Sequence, residues 1–195
     1  MDATDDRAAV LARARNGDEE AFRALVEQHS RRVFQLAFRM TGNEHDAEDV
    51  VQESFLRAYR QLGRFEARAN FGTWLYRIVA NCAVDLLRTR RSRGDQMTTD
   101  AFEDHMVSVP AVEPGPQRLA ESAEIQRRVV NALNDLSPTE RAAFTLRHYE
   151  GCSIEEICQA LNLRTSAAKH SVFRAVKKLR VALEPMRRKP IGTNS

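Results

Sequence analysis

Two sets of cationic and hydrogen-bonding side chains recur at helical spacing in this 195-residue chain. Arg77, Asn81, Asp85 and Arg88 fall on one face of a helix that starts near Phe71. Lys169, His170, Phe173, Arg174, Lys177 and Lys178 point outward from a second helix, whose apolar side carries Ala168, Val172, Ala175, Val176, Leu179 and Leu183. An asparagine flanked by arginines offers hydrogen bonds to base edges and charge to phosphates. The second helix has the make-up of a recognition helix, with Lys169, His170 and Arg174 as its base readers. Phe173 has two readings, contact with a thymine methyl or packing on a neighbouring helix. Lys177, Lys178 and Arg180 suit phosphates or the negative end of their own helix.

Groups that make and break covalent bonds are not assembled. His29, His45, His105, His148 and His170 are dispersed, and neither a Gly-rich phosphate loop nor a Gly-x-Ser-x-Gly elbow occurs. The acids between 44 and 53 lack metal-ligand spacing, and Cys82, Cys152 and Cys158 fit neither a zinc pattern nor a disulfide framework. No catalytic residue, cofactor, metal or small-molecule ligand is therefore expected. The cysteines read as small buried side chains.

The net charge of +3 is unevenly distributed. Glu44, Asp46, Glu48, Asp49 and Glu53 cluster without a Lys or Arg among them, whereas Arg88, Arg90, Arg91 and Arg93 crowd one stretch. From Arg164 to Lys189 nine basic residues face a single acid, Glu184. Such segregation predicts one surface for a basic protein and others for a polyanion. No apolar run of about 18 residues and no basic, then apolar, N-terminal leader occurs, so a cytoplasmic protein is expected.

These faces need helices to position them. Gly (8) and Pro (6) are scarce and strand-like alternation is absent, so the expected fold is all-α, two small helical domains joined by a flexible acidic linker. The linker is placed at 94–117, where Pro110, Pro114 and Pro116 accumulate with Asp95, Asp100, Glu103, Asp104 and Glu113 and no Lys or Arg. The first domain (1–93) should hold helices near 4–15, 18–41, 44–62 and 71–92, with Asn43 as an N-cap. In the last of these, Phe71, Trp74, Leu75, Ile78, Val79, Cys82 and Leu86 form the buried stripe, which makes Trp74 a core residue.

The second domain (118–190), followed by a disordered tail at 191–195, carries marked helix starts. Ser137-Pro138-Thr139-Glu140 and Ser153-Ile154-Glu155-Glu156 read as capping boxes, Asn162 suits a left-handed helix end, and Thr165 or Ser166 is a cap for the last helix. A short helix, a tight turn and a longer basic helix make a helix-turn-helix.

Several of these stretches together resemble one family. Asp46-Ala-Glu-Asp-Val-Val-Gln-Glu-Ser-Phe-Leu-Arg-Ala-Tyr59, Phe71-Gly-Thr-Trp-Leu-Tyr-Arg-Ile-Val-Ala-Asn81 and Asp85-Leu-Leu-Arg88 resemble region 2 of extracytoplasmic-function (ECF, group IV) RNA polymerase sigma factors. Leu136-Ser-Pro-Thr-Glu-Arg141, Gly151-Cys-Ser-Ile-Glu-Glu-Ile157 and Phe173-Arg-Ala-Val-Lys-Lys-Leu-Arg180 resemble region 4. The likeness runs over roughly 18–185, in the family's order. It departs at Arg164-Thr-Ser-Ala-Ala168, where many members have Pro-x-Gly-Thr-Val, and at Cys158 and Asn162 in place of Ala and Gly. The departures bear on the promoter sequence and not on the fold.

The resemblance implies a bacterial initiation factor that directs core RNA polymerase to promoters, here of the stress-response class, and does no covalent chemistry. It implies that Asp46, Asp49, Gln52 and Glu53 dock on the clamp helices of the largest polymerase subunit, with the flap as a further polymerase contact. It places Phe65, Arg68, Asn70, Arg77, Asn81 and Arg88 on the minus-ten element, with the loop 63–70 and Asn81 holding an extruded base. Glu66 and Arg68 would tune which base is accepted. It places Arg164, Ser166, Lys169, His170, Phe173, Arg174 and Lys177 in the minus-thirty-five major groove. It also implies an anti-sigma factor as partner, and a linker that either threads toward the polymerase cleft or is a plain tether.

Three other classes compete. A stand-alone helix-turn-helix regulator would bind an operator without polymerase, but it leaves Asp49, Gln52, Glu53 and Asn81 unexplained. An enzyme lacks a site. An adaptor that docks on polymerase without directing initiation differs in outcome rather than in docking residues.

Overall fold

The computed structural model describes residues 3–66, 70–94, 128 and 131–187, with side chains from 8 onward and up to 184. Among them every regular element is helical: α1 (Ala3–Arg15), α2 (Glu19–Thr41), α3 (Glu44–Gln61), a 3-10 turn (Leu62–Arg64), α4 (Phe71–Arg93), α5 (Pro138–His148), α6 (Ile154–Leu161) and α7 (Thr165–Arg187). The expected linker at 94–117 lies outside the described residues except for Gly94, and the expected tail at 191–195 lies outside them entirely.

Local chemistry sets the helix ends. Free backbone N–H groups in a helix's first turn need acceptors. Asp18 supplies one to Ala21, Asn43 to Asp46 and Asn70 to Gly72, at 3.0, 2.9 and 2.8 Å. Ser137 with Glu140, and Ser153 with Glu156, form complete capping boxes, as the spacing predicts. The left-handed residue after α6 is Asn162 at φ 50°, and Gly42 and Gly94 end α2 and α4 at φ 75°. The last helix starts at Thr165, so Thr165 and Ser166 lie inside it; Ala168 N–H donates to the Arg164 carbonyl, which puts Arg164 at the cap position.

Helices α1 to α4 enclose one apolar interior, with Val33, Leu36, Phe38, Met40, Val50, Leu62, Leu75 and Val79 at its centre. Helices α5 to α7 enclose another around Ala142, Leu146, Ile157, Ala168 and Ala175. Burying each leucine- or valine-sized side chain contributes roughly 1.5–3 kcal/mol, which sets the scale of both cores. The stripe on α4 is buried as expected at Phe71, Leu75, Ile78, Val79 and Cys82; Trp74 and Leu86 are half-buried at its margins. The two cores meet along α4, against which α5 and α6 both pack, and α5 also reaches α2.

Candidate nucleic-acid interface

On α4, the helical period that buries Leu75 and Val79 turns Asn81 and Arg88 outward, with Arg77 half-exposed beside them. These donors do not face solvent alone. Asn81 Nδ2 donates to the Ala160 carbonyl at 2.8 Å and also to Arg77 O at 2.8 Å. Arg77 Nη2 donates to Gln159 O at 3.1 Å, and Arg88 Nη2 to Thr139 Oγ1 at 3.2 Å. All three candidate minus-ten donors therefore touch α5 or α6.

The other expected minus-ten residues divide. Phe65 is 3% exposed, its ring centroid 5.0 Å from Trp74 and 6.0 Å from Phe71. The ring so enclosed packs as an aromatic core residue in this structure, and the expected base contact would require it to leave the Phe71 and Trp74 rings. Asn70 caps α4 through its Oδ1. Arg68 lies outside the described residues.

The acidic face of α3 also sorts by burial. Asp49 and Gln52 are exposed, and Glu53 is half-exposed with Arg57 Nε 2.6 Å from its carboxylate. Arg57 also reaches Asp85 at 3.5 Å, which ties α3 to α4 and holds Arg57 strongly protonated, above its ordinary pKa, chiefly through the Glu53 hydrogen bond. Asp46 is 2% exposed and ion-paired with Arg90 of α4. In this structure its carboxylate turns inward, because the α3 N-terminus lies against the basic end of α4, and it stands apart from the exposed acids of the expected docking face.

The outward face of α7 is as the period predicts. Arg164, Ser166, Lys169, His170, Phe173, Arg174 and Lys177 are all exposed. Phe173 is 66% exposed, which rules out packing against a neighbouring helix within the described residues. Lys178 instead bonds inward to Glu140 at 2.7 Å and to Asp135 O at 3.2 Å.

Residues with no visible function in the sequence hold the two halves together. Arg141 of α5 is 1% exposed; its Nε donates to the Arg39 carbonyl at 3.0 Å and its Nη1 to Asn134 at 3.3 Å. Burial pushes this guanidinium down to about 10, still charged at neutral pH. Arg39 forms a partly buried ion pair with Glu150 at 3.3 Å and lies 4.7 Å from the Tyr149 ring centroid. The acidic carboxyl of Glu150 is raised by burial, against the opposing charges of Arg39 and Arg32. No pattern in the sequence marks these pairs, since Arg39 and Glu150 lie 111 positions apart.

Cys82 and Cys152 are buried and Cys158 is half-buried. Burial pushes the Cys152 thiol up to about 11, the opposite of an activated nucleophile. Among the described residues no group of three or more His, Cys, Asp or Glu could hold a metal, and no helix is long and apolar enough to cross a membrane.

Comparison with known families assigns both halves. The model of Sigma-70 region 2 matches residues 25–93, and that of Sigma-70 region 4 matches residues 126–179. The RNA polymerase sigma-H factor of Pseudomonas aeruginosa is 34% identical over 92% of this chain and 94% of its own length. The chain belongs to the ECF RNA polymerase sigma factor family. The ECF sigma factor SigE of Mycolicibacterium smegmatis is 36% identical over 92% of this chain, which spans 65% of that longer protein. Among solved structures, CnrH in complex with the cytosolic domain of CnrY shares the fold at a TM-score of 0.62 and 29% identity, over 92% of this chain and 97% of that one. The all-α, two-domain reading and the sigma-factor reading both stand on these matches. In an ECF sigma factor, region 2 here comprises the α4 donors and the α3 acids, and region 4 the exposed face of α7.

Proposed function

We propose that this ECF sigma factor docks core RNA polymerase through Asp49, Gln52 and Glu53, opens the minus-ten element with Arg77, Asn81 and Arg88, and reads the minus-thirty-five groove with Lys169, His170 and Arg174. Arg164, Ser166, Phe173 and Lys177 flank the last surface. The observation that carries this reading is the presence on one chain of an acidic helix face and two separate donor faces on different helices. A lone operator-binding protein needs only the α7 face. Domain limits at 1–93 and 118–190, action in the cytoplasm and the absence of any covalent chemistry belong to the same proposal. CnrH is found in complex with the cytosolic domain of CnrY; a protein partner, an anti-sigma factor, is proposed for this chain.

Run-off transcription from a pooled library of promoter fragments, with and without core polymerase, tests the proposal. Start-site-specific transcripts that need both components support it. Tight, specific duplex binding by the protein alone, with no transcript stimulated, would instead identify a stand-alone regulator, and polymerase binding without transcripts an adaptor.

A further inference from the structure

Three donors proposed to serve the minus-ten strand are already engaged within the chain. Two of their acceptors, Gln159 O and Ala160 O, belong to the last turn of α6, where carbonyls lack partners within the helix and the helix dipole is negative. An amide and a guanidinium find there what a nucleic-acid strand offers: hydrogen-bond acceptors in a negative field. Thr139, in the first turn of α5, accepts from Arg88 through its side-chain hydroxyl Oγ1 rather than through a backbone carbonyl.

Asn81 and Arg88 stay exposed around these bonds, so the joint takes up their hydrogen-bonding capacity rather than their whole surface. Asp49 and Gln52 on α3 are exposed, and so is the row from Lys169 to Lys177 on α7. Among the described residues the bonds across the joint therefore engage the minus-ten donors, while the polymerase-docking and groove-reading faces stay exposed.

The joint is also built to part. Two buried donors in it, Arg39 Nε and Arg141 Nη2, have no hydrogen-bond acceptor among the described residues. A buried donor without an acceptor lowers the stability of the closed state relative to one in which water reaches it.

We propose that the C-terminal carbonyls of α6 and the start of α5 act as an internal stand-in for the minus-ten strand, closing region 4 over the α4 donors of the free sigma factor. The Arg39–Glu150 pair and Arg141, which bonds the Arg39 carbonyl, latch this state through α2 rather than through the donor face of α4. The proposal rests on the assignment of Arg77, Asn81 and Arg88 to the minus-ten element. It gives a physical reason for an order of events, polymerase first and unpaired strand second.

The test uses the full chain and two probes, a short single-stranded DNA and a short duplex, both of randomised sequence. Glu150→Gln removes the latch charge at constant shape, and Glu150→Gln with Thr139→Val also removes the Arg88 acceptor. Neither residue is placed in a DNA or polymerase surface. Circular-dichroism melting checks that both variants unfold cooperatively. If the closed state limits access, apparent affinity scales with the open fraction. We expect a larger radius of gyration by solution scattering, about a tenfold gain in single-strand affinity, and unchanged duplex binding.

An unchanged radius in the double variant overturns the latch. An enlarged radius with no gain in single-strand affinity overturns the occlusion, as does an equal gain for the duplex. Asn81→Ala assayed in the assembled polymerase separates the underlying assignment: normal promoter opening there refutes the role of Asn81 itself. Defective opening, with no gain by the latch variants, refutes only the closure.

Discussion

Arg141 Nε lies 3.0 Å from the backbone carbonyl of Arg39, so a buried cation of region 4 is anchored to a helix of region 2 by an acceptor that no substitution at position 39 removes. This bond turns a side chain from the Leu136-Ser-Pro-Thr-Glu-Arg141 motif into a structural strut across the joint.

Arg141→Lys keeps the charge but loses the directed Nε and Nη1 donors, and an ammonium cannot reproduce the planar fork. A hydrogen bond to a charged group contributes about 1.5–3 kcal/mol. We expect a stability loss of about 2 kcal/mol by urea titration, with Arg141→Ala losing more because it also opens a cavity.

Glu140 predicts an acid limit. Burial raises its carboxyl pKa, but Lys178 at 2.7 Å and the Ser137 N–H outweigh burial, and the net direction is down from the ordinary 4.5. A depressed carboxylate contributes stability that is full above the unfolded value and is lost as pH falls through the folded one. Melting temperature should therefore fall as pH drops below about 4.5, and Glu140→Gln should flatten that part of the profile while lowering stability at neutral pH. A parallel slope in wild type and variant would show that Glu140 does not set this limit.

Asp46 is buried and Asp49 exposed within a single turn of α3, which lets a structural role be told from the proposed docking role. Asp46→Ala leaves Arg90 without its buried partner and should cost about 2 kcal/mol in unfolding free energy. Asp49→Ala, at an exposed position, should leave stability within about 0.5 kcal/mol and weaken binding to core polymerase in a fluorescence titration. Equal loss of polymerase affinity in both variants, with unchanged melting for Asp46→Ala, would reverse the assignment.

What the sequence makes legible here is local. The capping boxes at Ser137 and Ser153 and the left-handed Asn162 involve partners within five residues, so spacing alone exposes them. The α4 stripe and the outward row on α7 follow from the helical period for the same reason. Asp46 and Phe65 were not legible: each is defined by a neighbour brought in by tertiary packing, Arg90 in one case and the Phe71–Trp74 pair in the other. The closure was invisible for a different reason. Its acceptors at 159 and 160 are backbone carbonyls, which every residue carries and no motif records.

Arg174 and Lys177 allow the proposed base reading on α7 to be told from phosphate positioning. Both are exposed on the same face, one turn apart, but the planar guanidinium can form two bonds to a guanine edge, whereas an ammonium acts on phosphate as a point charge. In the assembled polymerase, Arg174→Ala should cost roughly 1–3 kcal/mol of binding to the preferred promoter and relax discrimination at one minus-thirty-five base pair. Lys177→Ala should weaken all sequences alike and reduce the salt dependence by about one counterion. Competition assays across single-base promoter variants at two salt concentrations give both quantities. A uniform loss for Arg174→Ala would move that residue to the phosphate backbone and leave His170 and Lys169 to read the bases.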